Sequence, residues 1–351
     1  MEISTPGRIC LFGEHQDYLG LPVVAMAISL RVNIVGEKRQ DRKVIIHKPD
    51  LGEKETFSLD NLVYNHSRDY FKSGIKTCIN MGLSFEKGFE CEVRSSIPIQ
   101  AGTSSSSAII VSWINFLAQL ADRKPKWSLK KIGKLAYQSE SVEFGEPGGI
   151  MDQYITSCGG MLLIKSEPKV SVEKIDSELG NFVLGDSCER KNTLDILDRC
   201  KTVRMKIFEK IKSVTSQFDL HTCKDDVDVS FLNRIEKNLF SATLKNRNLL
   251  EKSLIELNKG KVDPSYFGDL LNQQHRILRD DLNVSTRKIE SMLSASKLAG
   301  AFGGKINGSG GGGCMFAYAP DNPKKVASAI ESVGGRAYII GKDEGTKILS
   351  K

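Results

Sequence analysis

The most informative hydrophobic pattern lies at residues 98–121, where a run of small and polar residues leads directly into an apolar helical repeat. Four serines follow Gly102, and serine favours turns and helix caps because its hydroxyl competes for backbone groups. From Ala108 the apolar side chains recur every three or four residues, which predicts a buried helix to Ala121. Free N–H groups at the start of such a helix form an anion site, usually for phosphate. A serine loop that only caps a core helix is the alternative.

Further strands and helices are predicted on both sides of this stretch. Strands are predicted at residues 9–12, 22–35 (one or two strands), 43–47, 89–94, 161–164, 182–185, 315–319 and 336–340. Helices are predicted over 69–82 and 128–142, from about 193, and over 228–258, 265–280, 286–299 and 323–333. This mixed order indicates an α+β protein. The polar segment 167–177 is the predicted boundary between an N-terminal domain, 1–170, and a C-terminal domain, 171–351.

Composition and charge narrow the classes of protein that are compatible with this pattern. The chain is 40% hydrophobic and 26% charged, which is typical of a soluble globular protein. Its formal charge of +7 comes from scattered lysines and arginines, which gives nucleic-acid binding little support but is compatible with an anionic substrate such as a nucleotide. No apolar run is long enough to span a membrane. The chain has eight cysteines but no CxxC pair, so structural zinc is not expected and the thiols are predicted to be reduced. No signal peptide is recognised, and a cytoplasmic protein is therefore expected.

Three loops dense in small or polar residues could carry chemistry: 7–20, 98–108 and 303–314. Residues 308–313 match GxGxxG, but strand-like residues follow them, whereas a dinucleotide-binding fold requires a helix there. No Gly-Lys pair precedes Ser or Thr, so a Walker A loop is absent, and the His-Arg-Asp and Asp-Phe-Gly motifs of protein kinases are absent too. Three such loops, together with an isolated Gly-Ile-Met-Asp at 149–152, are difficult to explain as simple turns.

Several of these segments together resemble one known family. Residues 7–18, GRICLFGEHQDY, closely resemble the galactokinase signature GRxNxIGEHTDY, and residues 98–108 resemble the PxGxGLSSSA phosphate loop of the GHMP kinases (galacto-, homoserine, mevalonate and phosphomevalonate kinases). Residues 149–153 resemble the catalytic-aspartate motif of that family. Residues 278–281 and 303–314 resemble its third conserved region, and Tyr70–Lys72 resembles a galactokinase segment. The resemblance runs in order from residue 5 to about 320.

This resemblance implies a fold, a reaction and its partners. The fold would be the two-domain α+β GHMP kinase fold, with an N-terminal domain like ribosomal protein S5 domain 2, a ferredoxin-like C-terminal domain and the active site in the cleft between them. The reaction would transfer the γ-phosphate of Mg·ATP to the anomeric hydroxyl of galactose or a galactose-like sugar. Arabinose, galacturonate, glucuronate and, as a weaker possibility, mevalonate are alternative acceptors. A sugar- and ATP-binding sensor without catalysis is the alternative of another class. No nucleic-acid or membrane partner is expected, and a monomer is favoured.

The resemblance also implies roles for individual residues. Asp152 would take the proton of the attacking hydroxyl or act by its charge, and Arg8 would stabilise the transferred phosphoryl group. Ser106 and Glu140 would hold Mg²⁺, with Ser107 and Glu143 as the competing candidates. Sugar-binding residues would be Glu14, His15, Asp17 and Gly149. ATP-binding residues would be Gln100, Ala101, Gly102, Thr103, Ser104, Ser105, Ser106, Ser107, Gly310 and Gly311.

The sequence departs from the family pattern at four places. Gln16 replaces the usual threonine of the signature, and Thr103 replaces the usual leucine of the phosphate loop. An additional serine leaves the register of Ser106 against Ser107 open. The sugar-contacting tyrosine of galactokinases is expected near residues 193–199, and none is present there. These departures leave the sugar less certain than the reaction.

Overall fold

The computed structural model describes residues 1–99, 101–189, 193–224 and 227–350, in which strands and helices alternate along the chain. The strands are β1 (Glu2–Phe12), β2 (Val23–Lys38), β3 (Lys43–Lys48), β4 (Glu53–Ser58), β5 (Phe89–Ser95), β6 (Met161–Lys165), β7 (Ser171–Lys174), β8 (Phe182–Asp186), β9 (Gly303–Ile306), β10 (Cys314–Tyr318), β11 (Arg336–Ile340) and β12 (Lys347–Ser350). The helices are α1 (Tyr70–Asn80), α2 (Ser105–Leu120), α3 (Leu129–Tyr137), α4 (Met151–Cys158), α5 (Thr193–Val214), α6 (Arg234–Leu257), α7 (Pro264–Arg276), α8 (Arg287–Leu298) and α9 (Pro323–Ser332).

The first sheet is built around the long strand β2. Its order is β12-β1-β2-β5-β3-β4, and β6 also pairs with β2 and carries β7 on its other edge. All of these pairs are antiparallel except β3 with β5. The first half of β2 is buried on both faces, since Val24 and Met26 pack into one apolar cluster and Val23 and Ala25 into another. This explains why that stretch of sequence is a continuous apolar run rather than an alternating one.

Helix α2 is the central helix on one face of this sheet. Its Trp113 and Phe116 are fully buried against β5 and α1, with Trp113 edge-on to Phe71 at 5.1 Å between ring centroids. Gly74 of α1 permits this contact, because a Cβ there would lie 2.6 Å from Trp113 Cδ1. Burial of the helix on nearly all sides fixes its N-terminal end, which is where the serine loop enters.

The second sheet has the order β11-β8-β10-β9 and is antiparallel throughout. Helices α8 and α9 pack on one face of it. On its other face, Phe182 and Phe316 share a single apolar cluster with Ile9 and Met26 of the first sheet and with Leu270 of α7. The common core brings the end of β1, the start of α2 and the loop between β9 and β10 to one place.

Most of the predicted elements are confirmed, with small changes in their limits. Residues 22–35 belong to one strand, β2, and Ser128 caps α3 by accepting a hydrogen bond from the Lys131 N–H at 3.2 Å. The helix predicted from Ala108 begins earlier, at Ser105, because Ser104 adopts a left-handed conformation that starts the first turn there. Segment 167–177, predicted to be irregular, contains β7, while the domain limit near residue 170 stays a prediction. Elements β4, β9, β12 and α4 were not predicted.

No helix in the described part of the chain is both long and apolar enough to cross a membrane.

Candidate active site

A cavity of about 330 Å³ lies where five segments meet. They are the loop after β1, the serine loop (residues 101–107), the start of α4, the start of α5 and the glycine loop between β9 and β10 (residues 307–313). It contains most of the residues that the sequence singles out: Arg8, Glu14, His15, Asp17, Ala101, Gly102, Ser104, Ser105, Ser106, Ser107, Glu140, Gly149 and Asp152. Residues from distant parts of the chain therefore converge on one space.

Four of the predicted ATP-binding residues do not line this cavity or cannot be placed. Gln100 lies outside the described residues. Thr103 is buried away from the cavity, and its carbonyl accepts a hydrogen bond from the Arg8 backbone N–H at 3.2 Å. Gly310 and Gly311 pack against Val284, whose carbonyl accepts the Gly311 N–H at 2.7 Å. The part of the glycine loop that faces the cavity is instead Gly308 with Ser309.

Arg8 and Asp152 form an ion pair at the centre of the cavity. Arg8 Nε and Nη2 each lie 2.7 Å from Asp152 Oδ1, and Nη1 donates to the Gly102 carbonyl at 2.5 Å. Burial alone would lower the pKa of Arg8, but the nearby carboxylates of Asp152 and Glu14 outweigh it and raise that pKa. The Asp152 side chain is 29% exposed, against 5% for Arg8. A fixed guanidinium thus presents a carboxylate to the cavity beside the serine loop.

The serine loop has the features of an anion site. Ser104 has φ 61° and ψ 39°, and α2 starts immediately after it. The first turn of a helix leaves N–H groups without intrahelical partners, and here that turn faces the cavity. The buried hydroxyls of Ser104 and Ser309, both of which line the cavity, have no hydrogen-bond partner in the described structure. Unsatisfied buried donors of this kind indicate a polar ligand between the two loops.

Glu140 lies on a single π-helical turn, Gln138–Val142, that follows α3 and directs its carboxylate toward α2. Glu140 Oε2 accepts a hydrogen bond from Gln153 Nε2 at 2.7 Å, and the hydroxyls of Ser106 and Ser107 are near enough to the carboxylate to stabilise its charged form. Burial raises the pKa of Glu140, although these hydrogen bonds oppose the rise. A buried carboxylate with two hydroxyls, and without a basic ion-pair partner among the described residues, fits the oxygen ligands that Mg²⁺ prefers.

Glu14, which also lines the cavity, is held in position by a buried lysine. Its Oε2 accepts hydrogen bonds from Lys305 Nζ at 2.9 Å and from the Gly308 N–H at 3.0 Å. Lys305 is fully buried and also donates to the carbonyls of Cys10 at 2.9 Å and Ile306 at 3.0 Å. Glu14 therefore joins the loop after β1 to the glycine loop as well as facing the cavity.

Asp17 is a half-buried carboxylate next to Asp152. Burial and then the negative charge of Asp152 raise the pKa of Asp17 from 3.8 to about 6. Gly149 packs directly against the Asp17 carboxylate, and a Cβ at Gly149 would overlap it. The predicted sugar-binding residues Asp17 and Gly149 are thus in contact. Because Gly149 has no side chain, there is room for the Asp17 carboxylate beside it.

His15 uses both of its ring nitrogens within the protein. Nε2 lies 3.0 Å from the Ser309 carbonyl, which can only accept, so Nε2 carries a proton. In the neutral ring Nδ1 then accepts from the Tyr18 hydroxyl at 2.8 Å, and Tyr18 in turn accepts from Arg204 Nη2 at 2.5 Å. This chain of hydrogen bonds links the loop after β1 to the glycine loop and to α5. Direct contact of His15 with a sugar stays a prediction.

Comparison with known proteins identifies the family of this chain. Three family models match: the GHMP kinases N terminal domain at residues 69–160, the GHMP kinases C terminal domain at 254–336, and the galactokinase galactose-binding signature at 2–38. A galactokinase of Clostridium beijerinckii is 30% identical over 369 residues, which cover 98% of this chain and 93% of that protein. The chain is a GHMP kinase.

Relatives of this GHMP kinase include enzymes with two different names. A mevalonate kinase of Thermococcus sibiricus is 29% identical over 347 residues, covering 96% of this chain and 94% of that protein. In solved structures, a galactokinase of Lactococcus lactis complexed with galactose has a TM-score of 0.86 at 22% identity, covering 99% of this chain and 94% of that chain. The Methanococcus jannaschii mevalonate kinase has a TM-score of 0.76 at 22% identity and covers 98% of each chain. The expected two-domain GHMP kinase fold is confirmed.

Some residues of this GHMP kinase cavity were not identified from the sequence. Arg68 lies at the cavity wall with φ 67° and forms two hydrogen bonds to Glu146, at 2.5 and 2.8 Å. Leu194 and Leu197 line the cavity from α5, at the positions where a galactokinase tyrosine is expected. The absence of the expected tyrosine at residues 193–199 was the only sequence feature that drew attention to the position of the leucines. No motif indicates the Arg68–Glu146 pair.

Proposed function

We propose that the protein is an ATP-dependent sugar kinase that phosphorylates the anomeric hydroxyl of galactose or a galactose-like sugar. The observation that carries this proposal is the group of three carboxylates in the cavity. Glu14, Asp17 and Asp152 all line it. Carboxylates are hydrogen-bond acceptors, and a polyol supplies the matching O–H donors.

The serine loop would bind the phosphates of ATP. The N–H groups of the first turn of α2 and the hydroxyls of Ser104 and Ser309 are suitable donors to phosphate oxygens. Glu140, with Ser106 or Ser107, would hold Mg²⁺, which when bound neutralises part of the phosphate charge. Both serines lie near Glu140, so neither is preferred here as the ligand.

Asp152 and Arg8 would act on the reacting groups. Asp152 would accept the proton of the attacking hydroxyl, which is supported by a carboxylate that reaches the cavity while Arg8 holds its orientation. The Arg8 guanidinium also contacts the Gly102 carbonyl of the serine loop, so its charge lies close to the expected phosphoryl position. Most of the rate enhancement would come from positioning and electrostatics, as is usual in phosphoryl transfer.

A mevalonate acceptor is less compatible with the charges of this site, although several relatives are named mevalonate kinases. Its carboxylate would need a cation, and the two arginines that line the described cavity are already ion-paired, Arg8 with Asp152 and Arg68 with Glu146. Lys305 is buried and occupied by Glu14. A second carboxylate near Asp17 would add repulsion. The galactose-binding signature at residues 2–38 supports a sugar as well.

ADP release across a panel of acceptors tests the proposal. Galactose, arabinose, galacturonate, glucuronate and mevalonate would each be assayed with Mg·ATP, and ³¹P NMR would locate the new phosphate. We expect turnover with a neutral sugar and a product phosphorylated at the anomeric carbon. Turnover with mevalonate alone would replace the proposal by mevalonate kinase activity. Binding of ATP and a sugar without ADP release from any acceptor would support the sensor.

A further inference from the structure

Two leucines of α5 contribute apolar surface to the cavity, whose lining also includes the apolar side chains of Ile99, Ile109 and Met151. Leu194 and Leu197 lie three residues apart on the first turns of α5 and line the same cavity as Asp17, Tyr18 and Gly149. Side chains three residues apart project from the same face of a helix. Neither leucine is fully buried, so both side chains keep accessible surface in the cavity.

The contacts of α5 place these leucines at the acceptor end rather than the phosphate end. Arg204 is seven residues after Leu197 on the same helix face, and its Nη2 donates to the Tyr18 hydroxyl at 2.5 Å. Lys201, seven residues after Leu194, reaches toward the Pro147 carbonyl at 3.5 Å. Further along α5, Ile207, Phe208 and Ile211 pack on Leu19 and Leu21. The leucines therefore lie over the gap between the loop after β1 and the loop before α4.

The acceptor end thus combines two chemically different kinds of surface. Glu14, Asp17 and Asp152 contribute carboxylate oxygens to the lining, and the two leucines contribute only apolar surface. A sugar hydroxyl placed against Leu194 and Leu197 would lose water without gaining a partner, whereas a methyl group there would be buried favourably. Such a site favours an acceptor with one hydroxyl-rich edge and one methyl-bearing edge.

We propose that the acceptor is a methyl-bearing sugar, either a 6-deoxyhexose or an N-acetylhexosamine, whose methyl group packs against Leu194 and Leu197. This inference rests on the proposed sugar kinase function and makes its substrate class narrower. The shared chemistry is a ring with hydroxyls directed to Asp17 and Asp152 and one methyl directed to α5. The position of the methyl on the sugar distinguishes the two classes.

The test compares kcat/KM for matched sugars at saturating Mg·ATP. The galactose series varies the substituent on C5 of the sugar. It is a hydroxymethyl group in galactose, a methyl group in 6-deoxygalactose and a hydrogen in arabinose. The second arm compares N-formylgalactosamine with N-acetylgalactosamine, which differ only by the methyl group. We expect the methyl-bearing sugar of one arm to exceed its parent by about 10- to 100-fold, the range typical of discrimination by an apolar pocket. The arm that shows the preference identifies the class.

A pair of variants tests whether Leu194 and Leu197 cause the preference for the methyl-bearing sugar. Leu197→Gln should reduce the preference for the methyl-bearing sugar to less than about threefold, because the amide can bond a hydroxyl. Met205→Gln, which places the same amide side chain at an exposed position of α5, should leave the preference unchanged. If the parent sugars are used as well as the methylated ones, or if Leu197→Gln keeps the preference, the inference is wrong while the sugar kinase function stands. If no sugar releases ADP, the proposed function fails and the inference fails with it.

Discussion

Replacing Asp17 by asparagine should make the protein more stable at neutral pH while impairing acceptor binding. Asp17 is held where its surroundings and the Asp152 charge raise its pKa from 3.8 to about 6. At about 1.4 kcal/mol for each pKa unit, keeping Asp17 ionised in the folded state lowers the free energy of unfolding by about 3 kcal/mol. Because the side chain keeps contact with water in the cavity, this is an upper limit, and we expect a gain of about 1–3 kcal/mol.

The sign of the pH dependence follows from linkage. The folded state binds the Asp17 proton more tightly than the unfolded state, so stability is lost as the pH rises from 3.8 through about 6. The stabilisation by Asp17→Asn should therefore be full at pH 7.5 and much smaller at pH 4.5. For 351 residues at about 2.1 cal/mol/K each, the unfolding entropy predicts a rise in Tm of about 1–4 °C at pH 7.5.

Thermal unfolding followed by circular dichroism at pH 7.5 and pH 4.5 measures this effect. Asp176→Asn, the same substitution at an exposed aspartate, is the matched control and should show no such pH-dependent gain. In the kinase assay, the KM for the sugar should rise in Asp17→Asn while nucleotide affinity is kept, since asparagine replaces an ionised acceptor by a neutral amide. An Asp17→Asn protein that is less stable than the wild type at pH 7.5, or equally stabilised at both pH values, would refute this reasoning.

Three further predictions concern the rest of the site. Asp152→Asn should bind nucleotide normally by calorimetry but lose about 10²-fold or more in turnover, because the proton acceptor is removed. Glu140→Gln should weaken the tightening of ADP binding by Mg²⁺, measured by titration with and without the metal, while metal-free binding is kept. Lys305→Met should destabilise the fold by about 3–5 kcal/mol in urea unfolding, because it leaves Glu14 as an unpaired buried carboxylate.

Each of these predictions has a distinguishing outcome. Normal turnover in Asp152→Asn would exclude this carboxylate as the base, and unchanged metal dependence in Glu140→Gln would exclude Glu140 as the ligand. The double variant Glu14→Gln, Lys305→Met removes both charges and should recover a large part of the lost stability. If the double variant is as unstable as Lys305→Met alone, the loss comes from packing around the lysine rather than from the charge left on Glu14.

Elements with long regular apolar patterns could be predicted from the sequence, and short ones could not. Helix α2 repeats apolar residues at helical spacing over several turns, so its identity was clear. Helix α4 has only eight residues and no side-chain cap, because Ile150 precedes it. Strand β9 begins with Gly303 and Gly304, which gave the appearance of a loop. Strand β12 has only four residues, too few to show a period.

The same distinction holds for the candidate site. Arg8, Asp152 and the serine loop belong to contiguous motifs, so their residue types and spacing could be read directly. The pairs Arg68–Glu146 and Glu14–Lys305 join residues 78 and 291 positions apart, and their partners depend on how the chain folds. The two occupied nitrogens of His15 depend equally on Tyr18 and on the glycine loop. Sequence could name the charged residues but not their partners.

Strand β12 also determines how well β1, which carries Arg8, is protected from other chains. It pairs with Glu2–Ser4 of β1, and the buried Thr346 hydroxyl accepts from Thr5 Oγ1 at 2.7 Å and Asn115 Nδ2 at 3.1 Å. Without β12 the outer edge of β1 would expose unpaired N–H and C=O groups beside buried apolar residues, a surface that recruits further strands. Truncation after Gly345 would thus convert a monomer-compatible sheet into an aggregation-prone one, without touching any residue of the cavity.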